Sequence, residues 1–282
     1  MPKSGWKMRY APHIGHPSVD KPLLPVGAGG IDPISQIRYI ADLGFQGIED
    51  NWAKLRPRED QERIGAELAR LGLEMGCFVN TTGSGTDTLL CQDDNEARDV
   101  LKRELFDSIE TAKRVNGRHM TTVCARDLRK QIGFQLVNMI ENLKHLAEIA
   151  ERAGVVLCLE QTAEPRLPGM LLHRIADAYA VVRGVGSPAV RLVLDILPLQ
   201  LMEGNVIDHM RSVWDGIGPI QAADNPGRLE PGSGELNFSN IFRFIREQGY
   251  AGLIEFECEL SKPGAAGEAL FLERLRRIDD AI

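Results

Sequence analysis

The stretch Val155-Val156-Leu157-Cys158-Leu159-Glu160 is a short apolar run that ends in a carboxylate. Similar runs end in a carboxylate in Leu192-Val193-Leu194-Asp195 and in Leu253-Ile254-Glu255-Phe256-Glu257, and in an amide in Gly218-Pro219-Ile220-Gln221. A short apolar run of this kind is typical of a strand buried in a parallel sheet. In an eightfold β/α barrel the carboxyl ends of the strands meet at one face, where catalytic groups lie. The pattern therefore predicts four neighbouring strands whose last polar side chains converge on one point.

The rest of the chain alternates apolar runs with longer amphipathic segments. Strands are predicted over residues 8–14, 47–49, 73–79, 119–124, 155–160, 190–195, 217–222 and 252–257. Helices are predicted from the capping pair Asp32-Pro33, and over 59–71, 95–115, 133–153, 171–182, 206–213, 238–248 and 268–278. Eight β-α units in 282 residues give about 35 residues each, as in an eightfold barrel. We therefore expect the α/β class, with a single (β/α)8 TIM-barrel domain over residues 1–282. A doubly wound sheet is the alternative, but it normally has a Gly-rich phosphate turn after a strand.

Composition excludes several partners. The net charge of −7 argues against nucleic acid, because phosphate binding requires clustered Lys and Arg. The five cysteines form no CxxC pair, which favours free thiols in a reducing, cytoplasmic compartment. No apolar stretch reaches the roughly 20 residues that span a bilayer, so we expect no membrane segment. The first six residues lack the apolar core of a signal peptide, so we do not expect export.

The acids at the predicted strand ends suggest a metal site. Glu160, Asp195 and Glu257 would repel one another at close range unless a cation lies among them or one of them is protonated. A divalent metal would reduce their summed charge from about −3 to about −1. With Gln221 the ligand set is all oxygen, which favours Mg²⁺ or Mn²⁺ over zinc. Any one such residue could instead cap a helix or form a surface ion pair. Four in successive strands favour the metal.

The most specific motif follows the seventh predicted strand. It is Gln221-Ala222-Ala223-Asp224-Asn225-Pro226-Gly227-Arg228, continuing through Glu230-Pro231-Gly232-Ser233-Gly234-Glu235-Leu236-Asn237. Together with Gly249-Tyr250-Ala251-Gly252 before Glu257, it resembles the xylose-isomerase-like TIM-barrel family of sugar isomerases and epimerases, most closely the hydroxypyruvate isomerases. The resemblance runs over most of the chain and is densest between Glu160 and Glu257.

The resemblance implies a role for each matching residue. The metal ligands would be Glu160, Asp195, Gln221 and Glu257, and Glu160 and Glu257 would double as the catalytic acid–base pair. Arg228 would bind the substrate, although a salt bridge to Glu230 or Glu235 that shapes the loop is the alternative. Family members are often dimers or tetramers, so the resemblance also implies a homodimer or a homotetramer.

The implied activity is a metal-dependent isomerisation of a small hydroxy-carbonyl substrate through an enediolate. Conversion of hydroxypyruvate to tartronate semialdehyde, in carbohydrate metabolism, is the specific expectation. A ketose 3-epimerase and a keto-inositol isomerase or dehydratase are close alternatives. A metal-dependent lyase acting on a glycoside, a nuclease of the AP-endonuclease type and a non-catalytic binding barrel are more remote.

One position departs from the family pattern. Many relatives carry a substrate-contacting histidine three residues after the aspartate that corresponds to Asp195, and here that residue is Pro198. Either another residue covers this role or the substrate differs. His13, at the end of the first predicted strand, is a candidate substrate-binding replacement, with a structural role as the alternative. Glu49 would either face the substrate or cap the next helix. The other histidines, His16 among them, have no ligand spacing and are not predicted to belong to the site.

Overall fold

The computed structural model describes residues 5–80 and 87–282. Its strands are β1 (Tyr10–Pro12), β2 (Gly47–Ile48), β3 (Glu74–Met75), β4 (Phe78–Val79), β5 (His119–Thr122), β6 (Val156–Glu160), β7 (Val190–Asp195), β8 (Ile217–Gln221) and β9 (Ile254–Phe256). Its helices are α1 (Pro33–Asp42), α2 (Arg58–Leu71), α3 (Asn95–Val115), α4 (Ile132–Ala153), α5 (Ile175–Val185), α6 (Ile196–Met202), α7 (Val206–Ser212), α8 (Phe238–Glu247) and α9 (Gly264–Asp280).

The strands pair in parallel and close into a barrel. One sheet runs in the order β1, β9, β8, β7, β6, β5, β4, and β2 pairs with β3. The ring is completed between β1 and β2, where the amide of Gln46 donates to the carbonyl of Tyr10 at 3.2 Å. The amide of Glu49 likewise donates to the carbonyl of Pro12 at 3.1 Å. The predicted (β/α)8 TIM-barrel fold is therefore confirmed.

The strand predicted over residues 73–79 is interrupted in the structure. Its two halves, β3 and β4, pair with different neighbours, β2 and β5. At the break, the amide of Cys77 donates to Oε1 of Glu255 at 3.1 Å rather than to a neighbouring strand. A Cβ atom at Gly76 would lie 2.7 Å from the same oxygen, so only glycine fits there. The buried carboxyl of Glu255 therefore lies where the strand is interrupted, and it accepts the hydrogen bond that a neighbouring strand would otherwise accept.

The helix predicted over residues 171–182 begins only at Ile175. Leu171 and Leu172 belong to the preceding loop, because their backbone groups pair with the loop after β5 and with the start of their own loop. The amide of Leu171 donates to the carbonyl of Cys124 at 2.8 Å, and the carbonyl of Leu172 accepts from the amide of Thr162 at 2.9 Å. The first of these bonds joins the loops that follow β5 and β6.

Helix α6 is absent from the sequence-based prediction. It begins directly after β7, where Oδ1 of Asp195 accepts a hydrogen bond from the amide of Leu197 at 3.1 Å. This is the usual bond of an aspartate N-cap. Asp195 therefore starts a helix with one carboxylate oxygen and leaves the other, Oδ2, for the barrel mouth.

Aromatic packing joins the first strand, the last strand and the last helix. Tyr10 stacks on Phe256 with ring centroids 5.4 Å apart, and Phe256 meets Phe271 of α9 edge-on at 5.3 Å. Such pairs add stability beyond the area that they bury. The five cysteines are buried and their thiols are free. None of the helices in residues 5–80 and 87–282 combines the length and apolar character that crossing a bilayer requires.

Candidate functional site

The four predicted ligands lie at one end of the barrel. Glu160, Asp195 and Gln221 are the last residues of β6, β7 and β8, and Glu257 follows the last residue of β9. These four strands are consecutive neighbours in the sheet, and Asp195 and Gln221 are register partners. Gln221 is fully buried, Asp195 and Glu257 are 4% and 7% exposed, and Glu160 is half-buried. The four predicted residues therefore lie at the ends of neighbouring strands, at the same end of the barrel.

Burial and mutual repulsion disfavour the charged forms of two of these acids. Removal from water raises the pKa of Glu160 well above its ordinary value, and the charges of Glu257 and Asp195 raise it further. Burial also raises the pKa of Asp195 to about 7, against the opposing charge of Arg228 and with a further contribution from Glu257. The cluster would be stabilised by additional positive charge.

Arg228 is a cation that lies among these carboxylates. Its Nη2 atom donates to Oε1 of Glu257, and its Nε atom donates to the backbone carbonyl of Glu257 at 2.9 Å. The same Nη2 atom lies 3.9 Å from Oδ2 of Asp195. Burial opposes the charge of Arg228, but Glu257 and Asp195 outweigh it and raise the pKa of the guanidinium. The predicted substrate-binding arginine therefore contacts a predicted ligand directly.

The alternative partners of Arg228 are engaged elsewhere. Glu230 is fully buried and pairs with Arg274. Glu235 accepts a hydrogen bond from Nδ2 of Asn225 at 2.6 Å. Among the residues that the structure describes, no ion pair joins Arg228 to either glutamate.

Asp224 holds the loop that carries Arg228. Its side chain is fully buried, and its two oxygens accept hydrogen bonds at 2.8–3.1 Å from four backbone amides. The donors are the amides of Asn225, Gly232, Gly234 and Leu236. A Cβ atom at Gly234 would lie 2.1 Å from the carbonyl oxygen of Asn225, so this position requires glycine. The motif after β8 is therefore a loop folded around one carboxylate.

The predicted ligands offer oxygen atoms that lack partners. Nε2 of Gln221 donates to Oε1 of Glu49 at 2.7 Å, which leaves Oε1 of Gln221 as the free end of the amide. This atom and Oδ2 of Asp195 are buried without a hydrogen-bond partner among the described residues. Buried polar atoms of this kind call for a partner such as an ion.

The donor set fits a divalent cation. Three carboxylates and one amide oxygen match the preference of Mg²⁺ or Mn²⁺ for oxygen. In residues 5–80 and 87–282, no three side chains of His, Cys, Asp or Glu are grouped closely enough to hold an ion as they stand. The fit of these four residues to a divalent cation therefore depends on their oxygen atoms, on the burial of these atoms, and on those that have no hydrogen-bond partner.

Glu49 lies deeper than the mouth of the barrel. Its side chain is fully buried against Gln221, so it contacts a predicted ligand. Burial raises its pKa well above the ordinary value, and the charges of Glu257 and Glu255 add to this effect. Glu255 points into the barrel interior, where burial raises its pKa to about 8. The partner that such a buried acid requires is the amide of Cys77.

His16 lies beside Glu257, although it was not predicted to belong to the site. Its Nδ1 atom lies 3.1 Å from Oε1 of Glu257, and its ring meets that of His13 edge-on at 5.7 Å. His16 follows β1 in a loop at the barrel mouth. A histidine three residues beyond His13 on this loop was the available signal. His16 is therefore a site residue that the absence of ligand spacing had excluded.

His13 is 2% exposed, and its Nε2 atom lies 2.9 Å from the carbonyl oxygen of Cys258. Because that oxygen can only accept, Nε2 carries the proton and Nδ1 is an acceptor. Burial and, to a smaller extent, the neighbouring His16 lower the pKa of His13 to about 3, so the ring is neutral at pH 7. His13 Nδ1 is buried without a partner among the described residues.

A cavity of about 380 Å³ adjoins the site between the loops that follow β1 and β9. His13, His16, Lys21, Ile31 and Lys262 are among the residues that line it, whereas Arg228 and the four predicted ligands are not. Pro198 is buried in the first turn of α6, where the missing N–H of a proline is tolerated. The imidazoles of His13 and His16 therefore come from the first loop and not from the position of Pro198.

Comparison with known proteins agrees with this architecture. The family model described as "Xylose isomerase-like TIM barrel" matches residues 37–280. A putative hydroxypyruvate isomerase from Danio rerio is 29% identical over 253 residues, which are 86% of this chain and 88% of that protein. A D-psicose 3-epimerase from Enterocloster bolteae is 27% identical over 244 residues, which are 82% of this chain and 78% of that protein. Several other relatives named hydroxypyruvate isomerase align with this chain over about half of their own length.

Solved structures show the same fold. The crystal structure of an AP endonuclease, family 2, from Brucella melitensis has a TM-score of 0.79 at 20% identity, and the match covers 94% of this chain and 98% of that one.

The curated relatives are named as isomerases and epimerases, which makes this chain an enzyme of that type. Because the family model matches most of the length of this chain, the chain belongs to the xylose isomerase-like TIM barrel family.

Proposed function

We propose that this chain is a metal-dependent isomerase that interconverts a small hydroxy-carbonyl compound through an enediolate. The observation that supports this proposal most is the cluster of Glu160, Asp195, Gln221 and Glu257 at the ends of four neighbouring strands. Within it, Oε1 of Gln221 and Oδ2 of Asp195 are buried without partners among the described residues. The same four residues are the ligands that the family resemblance implies.

These four residues would hold a Mn²⁺ or Mg²⁺ ion at the barrel mouth. When bound, such an ion supplies Lewis acidity, which polarises a substrate carbonyl and makes the neighbouring C–H bond more acidic. The site is mostly buried, and a site that excludes water strengthens electrostatic effects of this kind.

Glu257 and Glu160 are the proposed proton-transfer pair. Glu257, beside the charge of Arg228, removes a proton from one carbon of the substrate. Glu160 returns a proton to the neighbouring carbon, and proton exchange with solvent then restores both side chains. The hydroxyl proton passes to the former carbonyl oxygen, so the reaction needs no oxidant or reductant. Arg228 would orient the substrate, because its planar guanidinium suits a carboxylate or a pair of oxygens.

The relatives named hydroxypyruvate isomerase support hydroxypyruvate as a substrate to test first. The adjoining cavity favours a second candidate, an epimerase acting on a longer sugar-like compound. Its volume of about 380 Å³ falls within the range of roughly 300–1,000 Å³ that is usual for pockets holding larger ligands. A three-carbon substrate held by Arg228 would leave this space to water.

The test is a substrate panel with the purified, Mn²⁺-loaded protein. Hydroxypyruvate and a set of ketoses are incubated separately, and the products are identified by NMR. Glu160→Gln and Glu257→Gln should each lower kcat by about 10²- to 10⁴-fold, the usual contribution of a positioned acid or base. Glu141→Gln is the matched control, because Glu141 is 53% exposed and pairs with Lys144 on α4. Absence of turnover with every compound would overturn the isomerase proposal.

A further inference from the structure

A glutamine side chain offers two different ends to a cation, and only one of them can bind it. The amide oxygen has free lone pairs, whereas the amide nitrogen has none to offer and carries two protons. Gln221 can therefore act as a ligand only if its amide is held in one of its two flipped orientations. Burial alone does not select between them, because the two ends have nearly the same shape.

We propose that Glu49 is a positioning residue that fixes the amide of Gln221 with its oxygen toward the metal; this role rests on the metal site proposed above. Nε2 of Gln221 donates to Oε1 of Glu49 at 2.7 Å, and both side chains are fully buried. In the flipped orientation two oxygen atoms would face each other at this distance, and when Oε1 of Glu49 carries no proton neither of them can donate a hydrogen bond. The hydrogen bond therefore selects the orientation in which Oε1 of Gln221 is free, and this atom has no partner among the described residues.

The backbone of Glu49 is held firmly enough for this role. Its amide donates to the carbonyl of Pro12 at 3.1 Å, and its carbonyl accepts from the amide of Ile14 at 2.8 Å. Glu49 also forms a parallel bridge with His13 where β2 meets the end of β1. The acceptor for Gln221 is thus part of the closure of the barrel. Hydrogen-bonded partners behind metal ligands usually contribute 10- to 100-fold in metal affinity.

The experiment compares three variants with the wild-type protein. Glu49→Leu has a similar volume but no acceptor, so we expect the Kd for Mn²⁺ to rise by about 10- to 100-fold. Glu49→Gln keeps an acceptor oxygen in the same place, so its Kd should stay within about threefold of wild type. Glu49→Ala is the substitute if Glu49→Leu does not fold, with a loss of the same sign. Affinity is measured with Mn²⁺ alone, by electron paramagnetic resonance of free and bound ion, and thermal unfolding of the metal-free proteins checks that each is folded.

Each outcome has one meaning. Weak binding in Glu49→Leu with near-normal binding in Glu49→Gln supports the positioning role. Unchanged affinity in folded Glu49→Leu, or in folded Glu49→Ala where Glu49→Leu does not fold, overturns the role and leaves the metal site standing. Equal losses in Glu49→Leu and Glu49→Gln also overturn it, because a carboxyl group at position 49, and not an acceptor oxygen for Gln221, would then matter. No Mn²⁺ binding by the wild-type protein would overturn the metal site itself, and this role with it.

Discussion

At the scale of single residues, His16 provides a test of how Glu257 is held. Its Nδ1 atom lies 3.1 Å from Oε1 of Glu257, and a hydrogen bond to a charged group contributes about 1.5–3 kcal/mol. His16→Leu removes this contact. We expect kcat/KM to fall by about 10- to 100-fold, since each 1.4 kcal/mol corresponds to a factor of ten. Steady-state kinetics on the best substrate of the panel would measure it.

His145→Leu is the matched control, because His145 is exposed on α4. It should leave kcat/KM unchanged. Full activity in His16→Leu, or an equal loss in both variants, would remove His16 from the site.

Among single residues, the positions of the strand-end side chains were predictable and loop contacts were not. Glu160, Asp195 and Gln221 follow apolar runs, and the end of such a run fixes the position of the next polar side chain in a barrel. His16 lies in a loop, whose path has no sequence period. The buried contact between Glu49 and Gln221 joins residues 172 positions apart, and no local pattern records it.

At the scale of elements, the loop after β8 depends on Asp224. Asp224→Asn replaces one acceptor oxygen with an NH₂ group that faces backbone amides. We expect the free energy of unfolding to fall by about 2–3 kcal/mol, the usual cost of unsatisfied donors around a buried charged acceptor. Because this loop carries Arg228, kcat/KM should fall as well.

Urea unfolding followed by circular dichroism would measure the stability change. Asp99→Asn, at an aspartate that is 64% exposed on α3, is the control and should change little. A stability in Asp224→Asn equal to that of the control would show that the four amide bonds do not organise the loop.

A second element-scale prediction concerns the pair α1 and α2. Glu67 of α2 accepts from Arg70 and from Arg38 of α1, and these hydrogen bonds lower its pKa to about 2. Both arginines are exposed, so we expect Glu67→Gln to lower the free energy of unfolding by only about 1 kcal/mol at pH 7. Because the folded pKa is depressed, this contribution is fully present above pH 4.5 and is lost as the pH falls toward 2.

Urea unfolding of wild type and Glu67→Gln at pH 7, 4 and 3 gives the comparison. The difference between the two proteins should shrink at each step. A difference that is constant with pH would mean that packing, and not the charge of Glu67, is responsible.

Helices and strands were predictable where the spacing of apolar residues has a clear period. An example is α3, whose bounds match the prediction over 95–115. The break between β3 and β4 was not predictable. It depends on Glu255, which reaches Cys77 across 178 positions of the chain. Helix α6 was missed for a related reason, because Asp195 serves both as a strand end and as an N-cap.

At the scale of the whole molecule, a metal that binds only the folded barrel must stabilise it. At a concentration 100-fold above its Kd, Mn²⁺ should raise the free energy of unfolding by about 2.7 kcal/mol. Addition of EDTA should reverse the effect. Urea unfolding of the same sample with Mn²⁺ and then with excess EDTA measures both effects. An unfolding curve that does not shift would argue against a metal site at the barrel mouth.

The central claim is that Glu160, Asp195, Gln221 and Glu257 together hold a divalent metal. Its most direct test is an anomalous difference map, recorded at the manganese absorption edge from crystals grown with Mn²⁺. We expect one peak at the carboxyl ends of β6 to β9, within bonding distance of an oxygen from each of the four side chains. A map with no peak there, while Arg228 remains between Glu257 and Asp195, would contradict the claim.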